Sequence, residues 1–198
     1  MLKLLLYILI LYLLIEVAFT SLINFLRSKI PWIITDKDEF PKFKKAKITD
    51  FLNRTFDKSL GWDWKPNTKH KEKIFSKINY IFFGKLGERK NVRERKKITK
   101  FASFGDSFVF CRFVKNNQTW QEQIYKLNSQ KGLNLGVGNY GLDQIYLKYL
   151  KTKLPKNTKT VFIGFVPETL SRSLCSWKHY HEFNNIYAFK PKFINYKK

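Results

Sequence analysis

The sequence predicts a three-layer α/β/α fold with a parallel sheet, preceded by an N-terminal transmembrane helix. Three observations support this prediction. An apolar stretch long enough to cross a bilayer occupies residues 4–26. Short apolar segments then alternate with amphipathic helical patterns between residues 98 and 166, which is typical of strands joined by crossover helices. Polar segments follow each predicted strand, as expected where parallel strands end at a ligand-binding edge.

The composition allows a large core and leaves several classes of partner open. The 198 residues are 44% hydrophobic and 17% aromatic, so a packed domain is expected. The formal net charge of +23 allows binding to nucleic acid, anionic lipid or acidic polysaccharide. Because the basic residues are spread and no nucleic-acid motif accompanies them, we expect no specific nucleic-acid partner. The two cysteines and three histidines show no ligand spacing, so neither a metal nor a cofactor is predicted.

Residues 1–27 are interpreted as an uncleaved membrane anchor. The only charged residue within 4–26 is Glu16, and the stretch is longer than the apolar region of a signal peptide. The core helix of a water-soluble domain is the alternative. Basic residues lie on both sides of the stretch, with more on the C-terminal side. That pattern favours a cytoplasmic domain, but large domains often cross membranes regardless of charge, so the orientation stays open.

Residues 28–97 predict a basic, irregular region that precedes an α/β domain at 98–198. Within it, the segment LGWDWKPN has the glycine and proline of a loop. Its two tryptophans, Trp62 and Trp64, fit either a platform for a sugar ring or, more commonly, rings folded over a core. The run at 85–97 holds seven basic and two acidic residues and is typical of a solvated face. Binding of an acidic ligand is the less common alternative.

The first strand and helix of the α/β domain follow from short local patterns. The segment KITKFASFG predicts a strand that ends at Gly105. The segment TWQEQIYKL predicts a helix, since Thr119 and the glutamate three residues later have capping-box spacing. Trp120, Ile124 and Leu127 would share its buried face. Gly132 is expected to end this helix.

The second and third strands follow from the same reasoning. The segment LNLGV predicts the second strand, and GLDQIYLKYLK predicts a helix. Leu142, Ile145, Tyr146 and Tyr149 would lie on one side of that helix. The segment TVFIGFV predicts the third strand, and its continuous apolar run is typical of a strand covered on both faces.

Three polar segments are expected to meet at the carboxyl edge of this sheet. Residues 105–107 follow the first strand, residues 136–141 the second and residues 167–169 the third. A serine at a strand-to-helix turn can present its hydroxyl where backbone N–H groups stabilise negative charge. A glycine-rich loop beside it can supply a further N–H, which is how an oxyanion hole is assembled. This arrangement suits acyl transfer.

Taken together, these segments resemble the SGNH/GDSL hydrolase superfamily, and in particular its membrane-anchored bacterial branch associated with surface polysaccharides. The resemblance rests on FGDSFVF, on a TW pair about a dozen residues later and on LNLGVGNYGLDQ, and it covers roughly residues 60–166. It implies a serine-dependent esterase or O-acyltransferase that acts on an acyl ester or polysaccharide. It also implies a domain outside the cytoplasm.

The resemblance assigns roles to individual residues. Ser107 would be the nucleophile, and its own N–H would be one oxyanion donor. The family's second-block glycine falls on Asn139, whose N–H would be the second donor, and asparagine tolerates a left-handed backbone better than most residues. Gly105, Asp106 and Gly138 would support the turn and the loop, with Asp106 shaping the turn and not serving as the triad acid.

The third block departs from the family's Gly-x-Asn-Asp pattern. Glu168 and Thr169 stand in that neighbourhood, and an ionised glutamate cannot donate a hydrogen bond to an oxyanion. Thr169 or Arg172 is the candidate replacement donor.

The late Asp-x-x-His block, which carries the general base of the family, has no counterpart in this sequence. His70 precedes the predicted domain, and His179 and His181 lack the aspartate. The simplest account is that the sequence is the N-terminal part of a longer protein. The alternative is a catalytically inactive, membrane-anchored carbohydrate-binding or remnant protein, because a serine without a base is a weak nucleophile.

Overall fold

The computed structural model describes residues 2–29, 44–74, 76–92, 98–174 and 190, which fall into two compact units. The first unit contains helix α1, Leu2–Lys29. Its segment Lys3–Leu26 has a mean hydropathy of 2.3 and no buried residues, so it is long and apolar enough to span a membrane, as a signal sequence also is. The Tyr12 hydroxyl donates to Glu16 Oε1 at 3.1 Å, which gives the one carboxylate of this segment a partner within the helix.

The second unit is a mixed α/β arrangement. Its helices and strands, in chain order, are α2 (Lys45–Arg54), β1 (Phe56–Asp57), β2 (Gly61–Trp62), β3 (Lys69–Ile74), β4 (Lys77–Phe82), β5 (Thr99–Gly105), α3 (Ser107–Phe110), a 3-10 turn (Asn116–Gln118), α4 (Trp120–Asn128), β6 (Lys131–Asn134), α5 (Leu142–Lys151), β7 (Thr160–Gly164) and α6 (Pro167–Leu174).

The predicted parallel sheet is confirmed. Its order is β6-β5-β7, and both pairs are parallel. Hydrogen bonds between β5 and the chain after β6 continue beyond the end of β6: Val137 N donates to Gly105 O at 2.9 Å. Gly132 lies within β6 instead of ending the preceding helix. A Cβ there would come within 2.1 Å of the Phe101 ring, so the absence of a side chain leaves room for that ring. The helix ends earlier, at a left-handed Ser129.

Alternate residues of the central strand β5 contact different helices. Phe101 stacks on Trp120 of α4 with ring centres 5.9 Å apart. Phe104, three positions later, instead meets Tyr149 of α5 edge-on with ring centres 5.6 Å apart and shares a buried cluster with Ile145. The two crossover helices therefore pack against two different sets of β5 side chains.

The predicted apolar face of α4 is confirmed only in part. Trp120 packs on Phe101 and Ile124 is half-buried, but Leu127 is 86% exposed, whereas Gln121 and Glu122 are buried. Gln121 Nε2 donates to Ser103 Oγ at 2.9 Å and to Val109 O at 3.1 Å. Polar side chains face inward here because buried acceptors beneath the helix need donors. The predicted Thr119 cap is confirmed, since its hydroxyl accepts from the N–H three residues later.

The buried face of α5 is also rotated from the predicted one. Tyr146 is 54% exposed, while Gln144 and Lys148 are buried beside Ile145. Gln144 Nε2 donates to Leu60 O at 2.7 Å. Lys148 Nζ lies 2.5 Å from Asp63 Oδ1. These partners lie more than eighty positions earlier in the chain, so a local pattern gives no sign of them.

Strand β7 is not covered on both faces as predicted. Phe162 is 46% exposed and Ile163 is 44% exposed. The reason is its place in the sheet, because within the described residues β7 pairs only with β5 and forms an edge.

The described residues of 44–74 and 76–92 form more regular structure than the predicted irregular region. They form α2 and two antiparallel hairpins, β1-β2 and β3-β4. Trp64 stacks on Phe83 at 4.5 Å and on Phe110 at 5.4 Å, so this tryptophan packs over the core. Arg89, within the run expected to be solvated, is only 2% exposed. Residues 93–97 of that run lie outside the described residues.

Acidification is expected to remove a stabilising contribution from Asp57. Burial alone would raise the pKa of this carboxyl, but hydrogen bonds from Lys151 and Ser59 lower it from 3.8 to about 2. A carboxyl whose pKa is lower in the folded state stabilises the fold above its unfolded pKa, and this stabilisation is lost as the pH falls through the folded value. The stability difference between wild type and Asp57→Asn should therefore shrink between about pH 4 and pH 2.

Urea unfolding of both proteins at a series of pH values measures this difference. Asp50→Asn is the control, because its pair with Arg54 lies on the surface and contributes at most about 0.5 kcal/mol. A difference between wild type and Asp57→Asn that stayed constant down to pH 2 would contradict the prediction.

Candidate active site

Ser107 begins the short helix α3 directly after the central strand. Asp106 is the N-cap, and its Oδ1 accepts from Phe108 N at 2.9 Å. The Ser107 side chain is half-buried, and no hydrogen bond joins its hydroxyl to any residue in the described part of the chain. The predicted strand-to-helix turn is therefore present, with the serine hydroxyl uncommitted among these residues.

Glycines at two strand ends allow α3 to pack closely on the sheet. A Cβ at Gly105 would lie 2.2 Å from Val109 Cγ2 and 2.6 Å from Gly164 O. A Cβ at Gly164 would meet the same valine at 2.4 Å. Since these two glycines are register partners across β5 and β7, the first turn of α3 sits directly on the paired strand ends.

The loop after β6 runs beside the serine turn. The Val137–Gly105 hydrogen bond joins the two segments, and a Cβ at Gly136 would lie 2.3 Å from Phe110 N. Asn139 has a φ of +70°, the left-handed conformation that its predicted role requires. A Cβ at Gly138 would meet nothing within 4 Å, so this part of the loop borders open space.

Trp62 also holds this loop. Its Nε1 donates to Gly138 O at 3.1 Å, and the Tyr140 hydroxyl donates back to Trp62 O at 2.5 Å. Tyr140 is fully buried, and this burial raises the pKa of its phenol well above the ordinary value, so it remains a neutral donor. The sequence offers no signal for the pairing, because the two residues are 78 positions apart.

Arg172 of α6 connects the serine turn to the second loop. Its Nη1 lies 3.1 Å from Asp106 Oδ2 and 3.4 Å from Tyr140 O. Arg172 and Asp106 are both buried. Arg172 therefore contacts both the serine turn and the loop after β6.

The two other third-block residues have different surroundings. The Thr169 hydroxyl is buried and donates to Val166 O at 2.5 Å, within the start of its own helix. Glu168 is exposed in the first turn of α6. Of the two candidate replacement donors, Arg172 has the contacts that reach the serine turn.

The histidines do not complete a triad within the described residues. His70 lies on β3 with its ring 4.9 Å from the Trp64 ring, and burial lowers the pKa of its imidazole. It forms no hydrogen bond with Ser107. His179 and His181 lie outside the described residues. No group of three His, Cys, Asp or Glu side chains that could hold a metal ion occurs in the described part of the chain.

A buried polar network supports the C-terminal end of α3. Arg89 donates to the carbonyl oxygens of Phe110 at 3.0 Å and Cys111 at 2.8 Å. Asn134 Nδ2 donates to Phe110 O at 3.2 Å and to Gln121 Oε1 at 3.2 Å. Phe110 is the last residue of α3 and Cys111 follows it, so helical N–H groups do not reach their carbonyl groups and these side chains bind them instead. Arg89 lies in a basic run that is typical of a solvated face, so the sequence does not indicate its buried structural role.

Removing Arg172 is expected to destabilise the protein by about 3–5 kcal/mol, because Arg172→Met leaves the buried Asp106 carboxylate unpaired. The double variant Asp106→Asn/Arg172→Met should recover about 1–2 kcal/mol of that loss. The amide carries no charge and can still accept from Phe108 N. Urea unfolding of the two single variants and the double variant measures this coupling. Strictly additive losses would contradict a direct interaction.

Comparison of the chain with protein-family models, with curated proteins and with solved structures gives no match.

Proposed function

We propose that this chain is a membrane-anchored, serine-dependent acyl ester hydrolase or O-acyltransferase of the SGNH/GDSL type, acting on a surface polysaccharide or a related ester. The observation that carries the proposal is the position of Ser107. It is a half-buried serine immediately after the central strand, on a turn capped by Asp106 and tied through Arg172 to the neighbouring loop.

In the proposed reaction, the Ser107 oxygen attacks the acyl carbon of an ester. The tetrahedral intermediate places its negative oxygen near the N–H groups of Ser107 and Asn139. The intermediate collapses to an acyl-serine, and the donor oxygen leaves with a proton. Water or a sugar hydroxyl then attacks the acyl carbon and releases Ser107. The base that accepts the serine proton is not among the described residues that contact this turn.

A three-layer α/β/α arrangement is part of the proposal. The strand order with the first strand in the centre is that of doubly wound sheets, in which right-handed crossovers place consecutive helices on opposite faces. The contacts of Phe101 with α4 and of Phe104 with α5 support this arrangement.

An assay with a labelled acyl donor tests the function. The purified chain in detergent is incubated with an oligosaccharide that carries a labelled acetyl ester, together with an unlabelled acceptor oligosaccharide. Label in free acetate identifies a hydrolase, and label on the acceptor identifies a transferase. Label that stays on the donor contradicts the proposal.

The second candidate is a catalytically inactive, membrane-anchored carbohydrate-binding or remnant protein. Two observations favour it. The Ser107 hydroxyl has no basic partner among the described residues, and Glu168 stands where the family has an oxyanion donor. Saturable sugar binding with no release of label in the same assay would support this candidate.

We propose that α1 anchors the chain and that the second unit lies outside the cytoplasm. We expect the chain to remain in the membrane fraction after an alkaline carbonate wash, because a helix of this length and hydropathy inserts stably. Protease added outside intact spheroplasts should degrade the second unit. Release by carbonate would contradict the anchor, and protection from protease would contradict the orientation.

A further inference from the structure

A groove of about 740 Å³ lies between described residues of the β3-β4 hairpin and the segment that follows α3. This volume falls within the range of small-ligand sites. The side chains that matter for its chemistry are Lys77, Phe113, Lys115, Asn117 and Gln118. None of them belongs to the serine turn or to the loops that hold it.

The wall formed by residues 113–118 is held in place by hydrogen bonds. Arg89 Nη2 donates to Val114 O at 2.9 Å and to Asn116 Oδ1 at 2.8 Å. Asn116 Nδ2 donates across to Tyr80 O at 2.8 Å on the hairpin. Lys115 N donates to Gln118 Oε1 at 3.0 Å. Because both walls are tied together, the groove is preformed, which reduces the entropic cost of binding.

Phe113 combines exposure with an unfavourable backbone conformation. Its side chain is 57% exposed, and its φ of +63° is uncommon for a bulky residue. Such conformations persist where the surrounding structure enforces them, and they cluster at functional sites. The Arg112 guanidinium lies 4.6 Å from the ring centre and stacks on the ring as a cation.

The polar lining is cationic and rich in amides. Lys77 and Lys115 are exposed, and no acidic residue is among the described lining residues. The lining residues Asn117 and Gln118 are exposed and supply side-chain amides, whereas Asn79 Nδ2 is buried without a hydrogen-bond partner in the described part of the chain. Side-chain amides both donate and accept, which matches sugar hydroxyls, and lysine matches a carboxylate.

We infer that this groove binds an acidic oligosaccharide, a chain of sugars that carry carboxylates. The Phe113 ring would pack against a sugar C–H face, the amides would bind hydroxyls, and the two lysines would bind carboxylates. Binding to an anionic membrane surface usually involves larger clusters of basic residues, and binding to single-stranded nucleic acid usually involves several stacking aromatic residues. The groove has two lysines and one aromatic side chain among its described lining residues, which favours the oligosaccharide. The link to catalysis, in which this site holds the polymer whose ester Ser107 attacks, rests on the proposed function; the binding itself does not.

Calorimetric titration of the full chain in detergent with trigalacturonate, and separately with neutral galactotriose, tests the inference. We expect saturable binding of trigalacturonate and at least roughly tenfold weaker binding of galactotriose. Lys77→Gln/Lys115→Gln should weaken trigalacturonate binding roughly tenfold. Phe113→Gly, which relieves the left-handed strain, should weaken both ligands to a similar degree.

The matched control is Lys156→Gln/Lys159→Gln, which removes the same charge from exposed positions outside the groove. An equal loss in this control, equal binding of the two sugars, or no binding of trigalacturonate would overturn the inference. Loss of binding to phosphatidylglycerol vesicles in Lys77→Gln/Lys115→Gln, with trigalacturonate binding retained, would also overturn it. Acyl release by the wild type is measured separately, so failure of the groove and failure of the proposed function are distinguishable.

Discussion

Replacing Ser107 with alanine is expected to reduce acyl release from an acetylated oligosaccharide to the uncatalysed rate. The substitution removes the oxygen that attacks the ester in the first step of the proposed reaction, and such losses amount to at least roughly 10³-fold. The fold should be retained, because the Ser107 hydroxyl forms no hydrogen bond with the described residues and the Asp106 cap does not depend on it. The rate of acetate release, with circular dichroism to verify folding, measures the effect.

Ser129→Gly is the matched control for this experiment. Ser129 is an exposed serine in a left-handed conformation at the end of α4, and glycine adopts that conformation without strain. We expect its rate of acyl release to equal that of the wild type. Release by a folded Ser107→Ala protein at the wild-type rate would show that another group performs the chemistry.

Replacing Arg89 with alanine is expected to lower the free energy of unfolding by about 3–5 kcal/mol. The guanidinium donates to three backbone carbonyl groups and to Asn116 Oδ1, and it is almost completely buried. The substitution leaves Cys111 O, Val114 O and Asn116 Oδ1 without this donor in a site that water does not reach easily, and it also creates a cavity. Thermal and urea unfolding measure the loss.

Two further variants separate the fork of hydrogen bonds from charge alone. Arg89→Lys should recover only part of the stability, because one ammonium cannot replace the two guanidinium nitrogens that reach Phe110 O and Val114 O at once. Lys85→Ala removes a positive charge from an exposed position of the same basic run and should change stability by less than about 0.5 kcal/mol. A loss for Lys85→Ala as large as that for Arg89→Ala would contradict the role of the hydrogen bonds.

The parts of the fold that could be predicted from the sequence depend on neighbours along the chain. The Thr119 cap, the strand that ends at Gly105 and the parallel sheet are examples. The buried faces of α4 and α5 could not be predicted from periodicity. Gln121 and Gln144 are buried because they bond to Val109 O and Leu60 O, and such acceptors become neighbours only when the chain has folded.

The candidate site shows the same division. The serine turn and the left-handed Asn139 follow from local residue chemistry. The residues that hold them, Trp62 and Arg172, act through contacts 76 and 66 positions apart in sequence. Trp62 falls in a predicted loop and Arg172 is predicted only as an oxyanion donor, and neither position carries a local mark of its distant partner.

The most direct test of the central claim is to treat the wild-type chain in detergent with a fluorophosphonate probe and to locate the adduct by peptide mass spectrometry. A reactive serine attacks the phosphorus, expels fluoride and keeps the phosphonyl group. The proposal predicts a single major adduct on Ser107, with the heat-denatured chain unlabelled. An adduct elsewhere, or no adduct on the folded chain, would contradict the assignment of Ser107 as an activated nucleophile.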